Sequence, residues 1–305
     1  MKRLAIVIPA YKPHYLAETL ESICAQSDQR FTVYIGDDAS PADLASIVRP
    51  FNQRMNIHYH RFDENVGGKD LVGHWERCLR MIEQEDYIWL FSDDDKMPPD
   101  AVERLRAHFE SYPGHSFYRF PLSRIDANGR LEYAGAGLEE GIQSAEDMLT
   151  DYFAGVRPSS ACEYIFSRAL FEQEGMIHFP LAWCSDVATW YRYAQCAGGA
   201  VNIPGAAMMW RNAANINISS TEGLQEQKMQ ALISFMQWLK EHYKNPSDRK
   251  FKKALYQYIK ANLEISFSGV FSRDSFLTLV ARLKQIDLFL SLRVLYKYRS
   301  RLFRV

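Results

Sequence analysis

Cysteine is scarce and scattered. Cys24, Cys78, Cys162, Cys184 and Cys196 form no CxxC pair and stand in no Cys/His cluster. That argues against a zinc finger or a disulfide framework, and an odd, dispersed set points to reduced thiols in a cytoplasmic protein. No apolar stretch approaches the roughly 18 residues that span a bilayer. The run at 4–8 follows Met1-Lys2-Arg3 as in a signal peptide, but Pro9 ends it and no small-residue cleavage site follows. The expectation is a soluble or peripheral protein. GxGxxG and Walker A sequences are missing, which speaks against NAD binding and ATP hydrolysis, and the lack of GxSxG speaks against an α/β-hydrolase. The eight histidines show no metal spacing, and a formal net charge of −1 gives no reason to expect nucleic acid as a partner.

What is present is ordinary globular chemistry: 305 residues, 47% hydrophobic and 24% charged. The first half alternates strand and helix signals. Residues 4–8 (LAIVI) form a continuous apolar, β-branched run, as expected of a strand buried on both faces. Leu16, Leu20 and Ile23 recur at helical spacing, and 31–36 (FTVYIG) is a second strand ending in Asp37-Asp38-Ala39-Ser40-Pro41. A helix over 41–53, a strand over 56–62 and a helix carrying Leu71, Trp75, Cys78, Leu79 and Ile82 follow. The apolar segment 86–91 (DYIWLF) then runs into Ser92-Asp93-Asp94-Asp95. The spacing predicts a hairpin within 117–133 around Asp126-Ala127-Asn128-Gly129, a strand at 162–167, a helix at 185–197 and short strands around 200–210. This order predicts βαβ units in a mixed, mainly parallel sheet. From Glu222 glycine becomes rare and helical stripes dominate. The expected organisation is an α/β domain over 1–220 and a helical C-terminal extension over 221–305.

Ligands of such sheets bind beyond the carboxyl ends of the strands. Tyr11, Asp37-Asp38 and Asp93–Asp95 all follow strand ends, so this rule gathers them around one crevice. Three adjacent carboxylates repel one another, and a hard divalent cation with oxygen ligands relieves that; Mg²⁺ or Mn²⁺ typically takes one or two carboxylates plus substrate phosphates. The alternative is a solvated acidic turn capping the helix opened by Pro98-Pro99-Asp100. A carboxylate at Asp38 suits the imide N–H of a pyrimidine base, although Asp38 or Ser40 would equally cap the helix after Pro41. Tyr11 could pack on the base or simply on its neighbours. Lys69, after Gly67-Gly68, is a candidate for phosphate, since glycine allows close backbone approach; the alternative is a solvated surface lysine.

The segments LAIVIPAYKP (4–13), VYIGDDAS (33–40), ENVGG (64–68), HWERCL (74–79) and YIWLFSDDDKMPPD (87–100), in this order and spacing, resemble the family 2 inverting glycosyltransferases with the GT-A fold. The resemblance covers about residues 1–220. It implies a nucleotide-sugar donor contacted by Pro9, Ala10, Tyr11 and Asp38, with Asp93 on the ribose side. Asp94 would bind Mn²⁺ or Mg²⁺, with Asp95 as a second ligand. Ser92 stands where the family pattern begins with an acid. Cys184-Ser185-Asp186-Val187-Ala188-Thr189-Trp190 matches the segment of the general base and assigns that role to Asp186, with Ser185 replacing the usual Glu; from the residues alone Asp186 could equally be a helix cap. Trp210–Ser219 resembles the family's end motif, with Ala213 at the position of its histidine, and Arg211 would serve either the leaving diphosphate or an internal ion pair. The implied activity is hexosyl or acetylhexosaminyl transfer, UDP-sugar favoured, to a glycan or lipid-linked acceptor in bacterial surface glycan synthesis. A nucleotidyltransferase, which would carry a glycine-rich triphosphate loop not found at Ile8-Pro9-Ala10-Tyr11, and a non-catalytic nucleotide-sugar-binding protein are the alternatives.

Charge is unevenly spread. Residues 270–305 hold eight Lys/Arg against two acids, a net of +6, which leaves −7 for the rest. With apolar Phe276, Leu279, Leu283, Ile286, Leu288, Phe289, Leu292, Leu295 and Phe303, the segment 275–305 has two readings. One is peripheral contact with the anionic inner face of the cell membrane, worth about 1 kcal/mol per basic residue. The other is packing of the extension onto the rest of the chain.

Overall fold

The computed structural model describes residues 2–213, 221, 223–267 and 271–299. The expected boundary at residue 220, positions 214–219 of the end motif, and Arg301, Phe303 and Arg304 lie outside the described residues. The first elements are β1 (Leu4–Ala10), α1 (Leu16–Cys24), β2 (Thr32–Asp37), α2 (Leu44–Val48), β3 (Ile57–Arg61), α3 (Leu71–Leu79), β4 (Tyr87–Leu90) and α4 (Ala101–Ser111). There follow β5 (Phe117–Arg119), β6 (Leu122–Ile125), β7 (Leu131–Tyr133), β8 (Gly141–Gln143), α5 (Ala145–Phe153), β9 (Tyr164–Ser167), α6 (Arg168–Glu174), α7 (Ser185–Ala197), β10 (Ala200–Asn202) and β11 (Met208–Arg211). Helices α8 (Gln225–His242), α9 (Arg249–Ala261), α10 (Arg273–Ile286) and α11 (Leu288–Tyr298) complete the chain. These elements make two compact units. The first takes in residues up to Ala145 with 159–176 and 192–213; the second takes in 146–158, 177–191 and the described residues from 221 onward.

The first unit is built on an eight-stranded sheet of order β3-β2-β1-β4-β9-β5-β10-β8. Strands β3, β2, β1 and β4 are parallel, whereas β9 runs antiparallel to both β4 and β5 and β8 antiparallel to β10, so the sheet is mixed. Strand β1 lies between two parallel neighbours with Leu4 to Ile8 all buried, which is why its sequence is continuously apolar rather than alternating. Helix α1 buries Leu16, Leu20 and Ile23, the spacing read from the sequence. Helix α3 passes so close to β2 that a Cβ on Gly36 would stand 2.3 Å from Cys78 Sγ, so only glycine fits there. In β4 the buried Trp89 ring stacks on Phe120 and its Nε1 donates to the Cys162 carbonyl at 2.7 Å, satisfying the indole inside the core.

Two expectations need correction. The helix over 41–53 is shorter: α2 ends at Val48 and a 3₁₀ turn covers Arg49–Gln53, because Pro50 cannot continue an α-helical ladder. The hairpin expected within 117–133 is confined to β6 and β7 in a separate three-stranded sheet with β11, its turn fixed by Asp126 Oδ1, which accepts from Asn128 N and Arg130 N at 2.8 Å each. Residues 117–119 belong instead to the large sheet as β5.

The second unit is helical with an aromatic interior. The Phe153 and Tyr258 rings stack at 4.6 Å and Tyr243 on Phe251 at 3.7 Å. Phe276, Leu279 and Leu283 of α10 are fully buried, so that stripe is a packing stripe. Asp287 caps α11 by accepting from Leu290 N and also pairs with Lys252. Among the described residues no helix is long and apolar enough to cross a membrane.

Candidate active site

The ends of β1, β2 and β4 bring three loops of the first unit together, and side chains tie each loop to the next. Asp93 Oδ2 accepts the backbone N–H groups of Tyr11 at 2.9 Å and Lys12 at 3.0 Å. Ser40 Oγ donates to the Tyr11 carbonyl at 2.6 Å, and Asp37 Oδ1 accepts from Ser40 N at 2.7 Å. Ala39 between them has φ 53, a left-handed conformation that costs a residue bearing a Cβ on the order of 1 kcal/mol or more. The backbone at Tyr11 is therefore gripped from both sides while its ring is 40% exposed. Ala10 is buried and Pro9 partly so.

The acidic cluster is not a solvated turn. Asp93, Asp94 and Asp95 are all buried, and α4, with Asp100 at its N-cap position, has no side-chain cap. Burial raises all three carboxyl pKa values, and for Asp94 the neighbouring charges of Asp95 and Asp93 raise it further against the pull of Lys12 and Arg211. Burial pushes Asp95 up to about 6, opposed by the Arg211 N–H, Cys162 and Ser92. The three differ in what they bind. Asp93 is spent on the β1 loop. Asp95 Oδ1 accepts from Arg211 N at 2.9 Å, but its Oδ2 is buried without a hydrogen bond of normal geometry. Among the described residues no donor hydrogen-bonds the Asp94 carboxylate.

A buried carboxylate with no donor among the described residues, beside the under-bonded Asp95 and a third acid, is a donor set that suits a hard divalent cation. No group of three or more His, Cys, Asp or Glu among the described residues is arranged to hold a metal ion by itself. Asp94 and Asp95 would therefore share the ion with oxygens of a bound phosphate, as Mg²⁺ sites commonly do.

Asp38, expected at the base, is engaged with the loop that follows β3. Its two oxygens accept from Asn65 Nδ2 at 3.0 Å, Val66 N at 2.8 Å, Gly67 N at 2.9 Å and the Arg77 guanidinium, with His74 Nδ1 at 3.6 Å. A carboxylate has about four acceptor directions, and all are taken. Asp38 thus holds the 64–68 loop, and a Cβ on Gly67 would stand 2.6 Å from its Oδ2. That loop leads to Lys69, whose side chain is exposed and whose N–H donates to the Val66 carbonyl.

Arg211 is also internal. Its guanidinium is fully buried and donates to the carbonyls of Asp94 (2.8 Å), Ala127 (3.1 Å) and Asp126 (3.3 Å) and to Glu18 (2.8 Å), over the Tyr15 ring. Ala213, at the position of the family's histidine, is buried. Lys12 is a residue the sequence reading missed: it lies close enough to Asp93 and Asp94 to stabilise their charge. Its signal, a cation one residue past Tyr11, does not stand out among surface lysines.

Asp186 stands in the first turn of α7, half-buried, in the second unit. The chain leading to it is strained: Leu181, Ala182 and Cys184 have φ of 59, 55 and 68. Non-glycine residues rarely adopt this region, and three within four residues is a costly local arrangement. It is held by Ser185 Oγ, which accepts from Phe179 N at 2.9 Å, by Thr189 Oγ1, which accepts from Ile177 N at 2.9 Å, and by Cys184 Sγ, 3.1 Å from the Tyr258 hydroxyl. Nothing in the residue types at 181–184 announces this.

A model of the family described as glycosyl transferase family 2 matches residues 5–158. Among curated proteins, protein CgeD of Bacillus subtilis (strain 168) is 22% identical over 116 residues, covering 37% of this chain and 27% of that protein. The match thus spans about a quarter of the curated relative's length. Among solved structures, S. aureus TarS 1-349 in complex with UDP-GlcNAc superposes with a TM-score of 0.64 at 18% identity, covering 98% of this chain and 92% of that one. The mannosyltransferase PcManGT from Pyrobaculum calidifontis, in complex with GDP-Man and Mn²⁺, gives 0.55 at 16% identity over 92% and 74%. At these identities the likeness shows the fold, an α/β GT-A arrangement with C-terminal helices.

Proposed function

The chain belongs to glycosyl transferase family 2, and from that membership we propose that it is an inverting transferase. It moves a hexosyl or N-acetylhexosaminyl group from a nucleoside-diphosphate donor, UDP-sugar first, to a hydroxyl of a bacterial surface glycan. The observation that carries this reading is the buried Asp94 carboxylate in the loop after β4, which accepts no hydrogen bond from a donor among the described residues, between Asp93 and the Oδ2 of Asp95. UDP is favoured because the similar TarS structure holds UDP-GlcNAc.

In this reading the exposed Tyr11 ring offers a face to the base, and the β1 loop, fixed by Asp93 and Ser40, receives the nucleoside without reorganising. Lys12 and the exposed Lys69 supply positive charge for the phosphates. Asp94 and Asp95 would hold Mn²⁺ or Mg²⁺, which when bound neutralises charge on the departing diphosphate. Asp186 takes the proton of the acceptor hydroxyl as its oxygen attacks the anomeric carbon. The new C–O bond forms on the face opposite the breaking bond to phosphate, and that electron pair leaves with the nucleoside diphosphate. The strained 181–184 segment suits a base that must be held in one position.

Release of nucleoside diphosphate from a panel of UDP-, GDP- and dTDP-sugars, with and without acceptor glycans, tests the assignment. A UDP-sugar is expected to turn over, and Asp186→Asn is expected to lower transfer by about 10²–10⁴-fold with UDP affinity unchanged. No turnover of any donor would remove the proposed activity; wild-type transfer rates in Asp186→Asn would remove only the base.

A further inference from the structure

Helix α11 is apolar on two sides. Its inner side, with Leu290, Val294 and Tyr298, is buried in the second unit. Its outer side leaves Leu288 48%, Phe289 80%, Leu292 50% and Tyr296 70% exposed. At 100° per residue these four fall within an arc of about 100°, so they form one row along the helix. A single exposed leucine needs no explanation, but a contiguous apolar row does.

The charges along this row are mostly basic. Arg293, Lys297 and Arg299 are exposed; Lys297 pairs with Glu264 at 2.6 Å, while Arg293 lies over the Tyr256 ring and Arg299 over the Tyr296 ring, leaving both guanidinium charges without a described acid. The acid at the start of the helix, Asp287, is occupied in capping α11 and pairing with Lys252. Cations interleaved with exposed apolar side chains complement a surface that is apolar within and anionic at its rim. A second copy of this chain would set the same cations against one another across a two-fold contact, which disfavours self-association through this face.

We propose that the outer face of α11 docks onto an anionic lipid bilayer. The helix lies in the plane of the interface, with Phe289, Leu292 and Tyr296 among the acyl-chain ends and Arg293 and Arg299 at the headgroups. Attachment through one short helix is reversible, and it weakens as salt screens the basic residues. This surface is independent of the donor site and of the activity proposed for it.

Co-sedimentation of the full chain with phosphatidylcholine vesicles containing one-third phosphatidylglycerol tests the proposal. Binding at low salt is expected, with little on pure phosphatidylcholine and a steep loss at high salt. Phe289→Ser with Leu292→Ser, and separately Arg293→Gln with Arg299→Gln, are each expected to weaken binding by about tenfold or more. Because Phe289, Leu292, Arg293 and Arg299 are exposed and the two arginines pair with no described acid, thermal unfolding of both variants should match wild type. Failure to bind anionic vesicles at low salt, or equal binding to neutral ones, overturns the proposal. So does sedimentation velocity in which Phe289→Ser with Leu292→Ser converts a dimer to a monomer and leaves lipid binding unchanged.

Discussion

The Asp93 carboxylate reaches from the end of β4 to the backbone N–H of Tyr11 at 2.9 Å, 82 residues away in sequence, and to that of Lys12 beside it. One buried side chain thereby sets the shape of the loop proposed to receive the nucleoside. Hydrogen bonds to a charged group contribute about 1.5–3 kcal/mol. Asp93→Ala is therefore expected to weaken UDP binding by on the order of 10–100-fold through loss of loop order. Calorimetric titration with UDP measures this, and an affinity within twofold of wild type would show that the loop holds its shape without Asp93.

Arg211 joins the acidic loop, the β6–β7 turn and α1 through side-chain hydrogen bonds to Asp94, Asp126, Ala127 and Glu18. Lysine retains the charge but not the planar fork, and breaking a buried ionic network costs about 3–5 kcal/mol. Arg211→Lys is expected to lower Tm by roughly 5–10 °C. An unchanged Tm with a sharp loss of diphosphate affinity would instead put Arg211 on the leaving group.

His74 gives the fold an acid-sensitive point. It is buried, its Nδ1 accepts from Arg77 Nε at 3.0 Å, and burial holds its pKa down to about 4, with Asp38 pulling upward and Arg77 downward. The unfolded histidine titrates near 6.5, so between 6.5 and 4 the unfolded chain binds a proton that the folded chain refuses. The stability contributed is full above pH 6.5 and is lost as pH falls through this window, by on the order of 3 kcal/mol. Thermal melts across the window should show a shallower decline in His74→Gln than in wild type. Parallel declines would mean that His74 does not titrate in this way.

Much of the fold is legible in the sequence because its strands are buried on both faces. LAIVI at 4–8 and YIWL within 86–91 are continuous apolar runs that allow few other readings, and the polar clusters that follow them mark the strand ends. What is not legible depends on distant partners. Asp38 is saturated by donors 27 to 39 residues away, and Arg211 bonds to Glu18 across 193 residues. Adjacent aspartates with identical side chains divide into one that orders a loop, one with no donor among the described residues and one half-satisfied, which no local pattern encodes. The positive φ values at 181–184 arise from tertiary contacts on residues that do not prefer them. In the C-terminal segment one composition covers two roles, since α10 buries its apolar stripe and α11 leaves a row exposed.

The most direct measurement is UDP affinity by titration calorimetry, with Mn²⁺ and in excess chelator, for wild type and Asp94→Asn. Asparagine keeps the shape of the side chain but not its charge, and it removes one of three repelling acids. Wild type is expected to bind at least tenfold more tightly with Mn²⁺ than with chelator. Asp94→Asn should bind equally in both conditions and unfold at or above the wild-type Tm. Wild-type UDP affinity that is the same in chelator as in Mn²⁺, or an Asp94→Asn variant that keeps the full metal enhancement, would contradict the assignment of the acidic cluster to a cation-assisted diphosphate site.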